Sequence, residues 1–333
     1  MFNHGEFIDA NGRYNLPASV KQTIGPRLMT FLNYPRQVEL RREGGLQARR
    51  FESLARHFSS AYDSLGRYDI RPFTTPFWRK TARVLELTLL PSPSISFLQN
   101  PVVMQTMVIS GKRGMWSLEL RFLERSFPED VLSEVLKEDY VGNPLLLRSA
   151  YLTSRNNIHH MVHLARFLDK TRCQLDEIET CVEWGGGYGN LAKIFTKLKQ
   201  EGSTYVIMDL PMISCLQWIY LSSIFGEERV KLITKPEDGI AKGRINILPV
   251  CFADRHDIKA DLFISTFALS ECSTYAQDMV ASRSMFGARH VLLAYQDNSG
   301  PFPHEERIAE LASQFPTVKV DFPLMPRWHY LFA

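Results

Sequence analysis

Cysteine is scarce in this chain, and the five present (Cys173, Cys181, Cys215, Cys251 and Cys272) are odd in number, widely spaced and nowhere in a CxxC pair. That spacing argues against a disulfide framework and against a cysteine-based zinc site. No apolar run in the sequence approaches the roughly 20 residues that a membrane-spanning helix needs. The opening residues, Met-Phe-Asn-His-Gly-Glu-Phe-Ile-Asp, lack the basic end and apolar block of a secretory leader, so a reduced, cytoplasmic protein without a membrane span is expected. Charge of one sign is also scarce: the net charge is +3, too little to argue for a nucleic-acid partner. Internal repeats and low-complexity tracts are absent from the sequence. What is present is an ordinary globular balance, 45% hydrophobic and 23% charged, which excludes disorder as the main state. At 333 residues the chain exceeds the usual domain of roughly 100–200, so one large or two modest domains are expected.

Two textures meet near residue 145. Residues 1–145 read as a mainly helical region, a candidate substrate cover or dimer interface. Residues 46–62 place Leu46, Leu54, Phe58 and Tyr62 at helical spacing with Arg49 and Arg50 between them, which predicts an amphipathic helix. A proline-rich connection follows, with Pro72, Pro76, Pro91, Pro93 and Pro101. Residues 116–138 resume the helical period, and Pro128 divides them in two. After the turn signal Gly142-Asn143-Pro144, a long helix is expected from about 145 to 168. Residues 1–85 hold 14 Lys/Arg against 7 Asp/Glu. That excess suits either steering of an anionic, nucleotide-linked acceptor or a solvated face packed on the rest of the protein.

Residues 146–333 change to short apolar strands alternating with helices, the pattern of an α/β fold with a parallel sheet. Strands are expected at Thr180–Trp184, Tyr205–Met208, Ile245–Val250, Leu262–Thr266 and His290–Tyr295, with helices at 190–200, 212–224, 274–286 and 304–314. Val318–Phe322 and Trp328–Phe332 are separated by five residues only, too few for a parallel crossover, so they should close the sheet as an antiparallel hairpin.

The segment Glu183-Trp184-Gly185-Gly186-Gly187-Tyr188-Gly189-Asn190 runs from a strand through glycines into a helix. Such a loop lets a ligand approach the backbone and lies at the carboxyl end of the sheet, where α/β folds bind ligands. A dinucleotide fingerprint would need glycine where Asn190 stands. Glu183, two residues before the first glycine, would repel a pyrophosphate and instead suits a ligand carrying ammonium and sulfonium charge. Asp209 ends the next strand, placed to accept two ribose hydroxyls.

Glu183 to Gly189, Asp209 and the closing hairpin together resemble a class I S-adenosylmethionine-dependent methyltransferase. Val182–Ala192, with Met208-Asp209-Leu210-Pro211 and Ser265-Thr266-Phe267-Ala268-Leu269-Ser270-Glu271, is similar more narrowly to the bacterial sugar O-methyltransferase family. The likeness covers residues 140–333 well and the preceding ones poorly. It implies a Rossmann-like methyltransferase sheet preceded by a helical region, S-adenosylmethionine as cofactor, and a small-molecule or glycan acceptor. Gly185, Gly186, Gly187 and Gly189 would pass beneath the methionine and ribose, Glu183 would support the loop and the amino group, and Asp209 would hold the ribose. Leu210 would pack on the adenine, and Asp254 is a candidate acceptor for its exocyclic amine.

An alcohol acceptor needs a base or a metal, because its proton is held tightly. The segment after the fourth strand lacks the proline pair of nucleobase-amine methyltransferases and carries Glu271 instead, a candidate base or a helix-opening acid. His304 and His160 are further candidates, His160 paired with His159 on the helix before the glycine loop. Tyr151, Arg155 and Asn157 are candidate acceptor-binding residues, whereas His329 reads as structural and His256 as solvated. Asp297-Asn298 resembles a magnesium site but is also a common turn composition, so a metal is the less favoured reading. The competing functions are methylation of a non-sugar small molecule or a protein, and a non-catalytic binding protein that retains the fold. A nicotinamide oxidoreductase is disfavoured by Glu183 and Asn190.

Overall fold

The computed structural model describes residues 34–109, 115–199, 202–296, 302, 307–322, 325 and 327–333. Eight strands form one sheet: β1 (Thr180–Trp184), β2 (Thr204–Asp209), β3 (Val230–Leu232), β4 (Ile245–Pro249), β5 (Leu262–Thr266), β6 (His290–Gln296), β7 (Val318–Asp321) and β8 (Trp328–Phe332). Their order is β3-β4-β2-β1-β5-β6-β8-β7. The first six are parallel, and β8 runs antiparallel to both of its neighbours, β6 and β7. The expected α/β sheet with a terminal antiparallel hairpin is therefore present, with six parallel strands in place of five. The sixth, β3, has only three residues and pairs at the sheet edge with β4 alone, too short to leave a hydrophobic pattern. Chain order reverses at β1, which has β2 on one side and β5 on the other, and in open α/β sheets ligands bind at the carboxyl ends of the strands at such a point. β2 is buried along its whole length and β1 and β5 along all but one end residue, which is why they read as unbroken apolar runs.

Before the sheet come α1 (Tyr34–Glu43), α2 (Gly45–Ala55), α3 (Phe58–Leu65), α4 (Pro76–Leu89), α5 (Pro101–Met107), α6 (Met115–Ser126), α7 (Glu129–Val135) and α8 (Arg155–Thr171). The single helix expected over 46–62 is two. The break at Arg56–His57 lets Phe51 and Leu54 of α2 and Phe58 and Leu65 of α3 all enter the core. The proline-rich connection also carries helices, because Pro76 and Pro101 are first residues, where a missing N–H costs no hydrogen bond. α8 starts at Arg155 rather than near 145: Ser154 Oγ accepts from Asn157 N at 3.2 Å and caps it, while Leu146 and Ser154 bridge in extended backbone.

Within the sheet region, α9 (Asn190–Lys199), α10 (Pro211–Phe225), α11 (Thr274–Ser282) and α12 (Arg307–Leu311) complete the fold. α11 stops at Ser282 instead of reaching 286, since Ser284, Met285 and Phe286 have φ of 47°, 50° and 61° and cannot continue a right-handed helix. α2 and α3 pack on α10, and α6 packs on α8, so one apolar core runs from Phe51 to Phe332. Polar ties reinforce it. Lys193 Nζ of α9 is fully buried 2.9 Å from Glu138 Oε2, and Lys197 Nζ lies 2.9 Å from Asp139 Oδ2. The Arg36 guanidinium donates to the carbonyls of Leu147, Ser149 and Tyr151 at 2.9, 2.5 and 3.1 Å. That arginine of the basic front region is therefore spent on internal structure. Among the described residues no helix is long and apolar enough to cross a membrane.

Candidate active site

The glycine loop leaves β1 and enters α9 at the chain-order reversal. Gly185 has φ +77°, and a Cβ there would fall 1.9 Å from the Cβ of Ala268, so the loop after β5 lies directly against it. At Gly186 the obstacle is space: a Cβ would meet Ile207 Cγ2 at 2.6 Å and Glu183 Oε2 at 2.9 Å. Tyr188 is drawn out of the loop into the core, edge-on to Tyr220 and Phe97 at 5.2 and 6.3 Å. Its hydroxyl accepts from Asn156 Nδ2 of α8 at 2.9 Å, and Asn156 Oδ1 accepts from Ile109 N at 3.0 Å. The loop is thus pinned from below by the region that precedes the sheet.

Two buried carboxyls flank the loop. Glu183 Oε2 accepts from the Tyr205 hydroxyl at 3.0 Å. Burial pushes Glu183 up to about 8, the Tyr205 bond lowers it, and nearby Asp209 raises it further. Asp209 Oδ1 accepts from Leu210 N at 2.8 Å, and its Oδ2 accepts from Gly187 N and Gln217 Nε2, both at 3.1 Å. Burial still raises Asp209 to about 7, against the lowering effect of these three donors. Among the described residues, neither carboxyl has a lysine or arginine as a hydrogen-bond partner. Two enclosed acids without a basic partner make a cleft that favours a cationic guest. Gln217 also donates to Gly187 O at 2.7 Å, a role that no motif spacing announced. Leu210 is buried at the start of α10, beside Asp209. Asp254 sits on the turn Val250–Arg255, exposed, its Oδ2 3.7 Å from Arg255 Nε.

A second group of candidate residues comes from distant segments. Glu271, half-buried five residues after β5, accepts from Trp78 Nε1 of α4 at 3.0 Å, and its carbonyl accepts from Thr75 Oγ1 at 3.3 Å. A bridge between Thr74 and Cys272 fastens the same two segments. Across from them, His160 Nδ1 lies 3.3 Å from Asn190 Nδ2, at the end of the glycine loop. Burial, with smaller contributions from His159 and Lys193, lowers His160 to about 3, so it is a neutral imidazole at physiological pH. His163, one turn along α8 and not singled out from the sequence, contacts the Tyr330 hydroxyl at 2.8 Å, and burial holds it well below the usual histidine range. His159 Nδ1 is 2.6 Å from Glu119 Oε1, while His159 Nε2 and Glu119 Oε2 are buried without hydrogen-bond partners.

Arg155 opens α8 half-buried, and Tyr151 is half-buried with its carbonyl held by Arg36. Asn157 is fully buried, its amide donating to Leu136 O at 3.0 Å, which fastens α8 to the end of α7. His256 is not solvated as expected: its two ring nitrogens lie 2.9 Å from the carbonyls of Phe252 and Asp238, and it is buried between them. His329 Nδ1 meets Asp321 Oδ1 across the hairpin at 2.7 Å. His304, Asp297 and Asn298 lie outside the described residues. Among the described residues, no group of three or more His, Cys, Asp or Glu side chains is placed to hold a metal ion.

No protein-family profile matches the chain, and no curated protein does. Solved structures are similar at low identity. Magnesium protoporphyrin IX methyltransferase from Synechocystis PCC 6803, with bound S-adenosylmethionine, is 11% identical with a TM-score of 0.38, the match covering 67% of this chain and 98% of that one. The mitomycin 7-O-methyltransferase is also 11% identical, with a TM-score of 0.35 and coverage of 65% and 66%. The pyocyanin biosynthetic protein PhzM is 13% identical with a TM-score of 0.34, over 54% of this chain and 57% of that one. The match therefore spans little more than half the length of PhzM.

Proposed function

We propose that the chain is an S-adenosylmethionine-dependent O-methyltransferase that methylates a sugar hydroxyl in glycan or secondary-metabolite assembly. The observation that carries the reading is the pair of buried carboxyls, Glu183 and Asp209, flanking a glycine loop where chain order reverses in the sheet. Ionising either acid in that enclosure is costly without a nearby positive charge. A ligand with sulfonium and ammonium groups supplies that charge, whereas a pyrophosphate would add to the repulsion. The site also fits a ribose: among the described residues Asp209 Oδ1, at the end of β2, accepts from Leu210 N alone and keeps a lone pair for a hydroxyl, while Oδ2 is taken by Gly187 N and Gln217 Nε2.

When bound, S-adenosylmethionine supplies a methyl group on a sulfonium, open to in-line displacement by an acceptor oxygen. This chain's residues then have three tasks. Gly185, Gly186, Gly187 and Gly189 give the cofactor close access to the backbone, Leu210 and Asp254 border its adenine, and Glu183 faces its amino group. Glu271 is the acceptor-side base, with His304 a further candidate, each able to take the hydroxyl proton as the oxygen gains charge. His160, lowered to about 3, is too weak a base for that task and offers a neutral hydrogen-bonding group instead. Tyr151, Arg155 and Asn157 belong to the acceptor side. Residues 1–145 cover the acceptor, and residues 146–333 bind the cofactor.

Calorimetric titration with S-adenosylhomocysteine tests the reading, with NAD as control. Binding of the first alone supports it and leads to measuring S-adenosylhomocysteine release with nucleotide sugars as acceptors. Binding of NAD alone overturns it.

A further inference from the structure

Phe267 follows β5 directly and has φ +73°, in the left-handed region that bulky L residues rarely adopt. Strain of this kind persists only where neighbouring structure holds it, and it concentrates at ligand sites. Here Phe267 N donates to Ala294 O at 2.7 Å, and Phe267 O accepts from Ser270 Oγ at 2.6 Å. The ring lies 4.5 Å from Trp328, the first residue of β8, with 58° between the two planes. Arg327, just before Trp328, is also left-handed, at φ +72°. Both rings stay partly open to solvent, while Phe322 and Tyr330 behind them are buried and stacked at 3.9 Å. The next residue, Ala268, is the one that abuts Gly185, and Trp328 pairs with Gln296 at the carboxyl end of β6. Two aromatic faces backed by a packed layer thus stand on the same crevice edge as the glycine loop, four residues from Glu271.

We propose that Phe267 and Trp328 form the acceptor platform, and that it stacks against the apolar face of a pyranose ring. The assignment rests on the methyl-transfer reading and names the part of the site that would select its substrate. A flat aromatic acceptor is best held in a slot between near-parallel faces, whereas planes inclined at 58° make a corner. A corner suits the puckered, C–H-lined face of a sugar, whose hydroxyls then need several polar partners. Glu271 and His160, both partly open to solvent, would supply them, while Asn190 is fully buried.

Saturation-transfer NMR on the full chain, loaded with S-adenosylhomocysteine, tests the platform. The probes are methyl α-glucopyranoside, methyl α-mannopyranoside, methyl α-galactopyranoside and methyl α-rhamnopyranoside, with 1-naphthol as the planar control. At least one pyranoside is expected to receive saturation at its ring C–H protons. Trp328→Leu and Phe267→Leu should each weaken that pyranoside about tenfold, the order seen when an aromatic anchor is truncated. Trp328→Phe should retain most of the signal, and S-adenosylhomocysteine affinity should stay within about twofold in every variant, which certifies their fold. The platform is overturned if the cofactor product binds yet no pyranoside saturates, if the signal is unchanged in both leucine variants, or if only 1-naphthol saturates. Failure of S-adenosylhomocysteine to bind the unaltered chain would sink the methyl-transfer reading itself, and this assignment with it.

Discussion

The wall built from Glu183, the glycine loop and Asp209 comes from one continuous stretch, residues 183–209, and works through backbone N–H groups and two carboxyls. The second wall of the proposed site is drawn from Trp78 of α4, Glu119 of α6, three histidines of α8, Phe267 and Glu271 after β5, and Trp328 of β8. The first is contiguous in sequence, a strand, a tight loop, a helix and the next strand, with Ala268, Asn156 and Gln217 fastening it from outside. The second exists only once the chain has folded, since the Trp78–Glu271 bond joins residues 193 positions apart. On the proposed reading, binding the cofactor and selecting an acceptor would fall to different parts of the chain. Substitutions in the first wall should abolish binding, and those in the second should spare binding and alter turnover or acceptor choice.

The largest effect is expected from Asp209→Ala. It removes the candidate ribose acceptor and leaves Gly187 N, Leu210 N and the Gln217 amide without their shared partner. Calorimetry should show S-adenosylhomocysteine affinity reduced by about a hundredfold or more, roughly 3 kcal/mol. Retained affinity would show that the first wall is not the cofactor wall.

Glu183→Gln should act next most strongly, and its signature is pH dependence. Folded Glu183 is held up at about 8, against 4.5 as its ordinary value. Between those values the folded state binds more protons than the unfolded one, so this group makes ligand-free stability fall as pH rises from about 4.5 to about 8, and adds no slope above that. The Gln variant should lose that slope in melting temperatures recorded from pH 5 to 8. The ammonium of the ligand's amino-acid end favours the ionised acid, so S-adenosylhomocysteine, whose sulfur is uncharged, should still bind the unaltered chain more tightly as pH rises through 7 to 8. The variant should bind about tenfold more weakly, with a flatter profile. An unchanged pH profile of binding would remove Glu183 from the ammonium site.

On the second wall, Glu271→Ala should leave the S-adenosylhomocysteine Kd unchanged and lower kcat by about a hundredfold, in the range for loss of a general base. The readout is S-adenosylhomocysteine release with a nucleotide sugar that the unaltered chain methylates. Undiminished kcat would strike Glu271 from the catalytic list and leave His304 as the candidate.

The same division decides what was legible beforehand. β1, β5 and β8 have the bounds that their apolar runs predicted, because buried strands write continuous hydrophobic text. The glycine loop and Asp209 were legible because backbone turns and strand ends demand particular residues at fixed spacing. β3 was not, having three residues at an edge, and the start of α8 was hidden by Leu145, Leu146 and Leu147, which continue an apolar pattern through extended backbone until Ser154 caps the helix. In the site, Gln217, Asn156 and Trp78 left no signal, since each acts on a partner that the fold alone brings near. His163 had one, the repeat His159-His160-Met161-Val162-His163, which puts a third imidazole one helical turn from the first.

Trp78→Phe gives the finest test of the separation, because it touches the second wall from the region farthest away in sequence. The indole N–H is the only atom lost that bonds Glu271, and the phenyl ring keeps most of the packing against Phe77, whose ring lies 5.6 Å away. Trp78 is thus a positioning residue: it fixes one carboxylate oxygen and leaves the acceptor chemistry to Glu271. Losing that restraint should lower kcat about three- to tenfold, near 1 kcal/mol for one hydrogen bond. The S-adenosylhomocysteine Kd should not move, and in the background of Glu271→Ala the substitution should have no further effect on kcat. A shift in Kd would mean that the two walls are coupled through the glycine loop, as the Asn156–Tyr188 bond gives them the means to be. Additive losses in the double variant would place the effect of Trp78 in packing rather than in the orientation of Glu271.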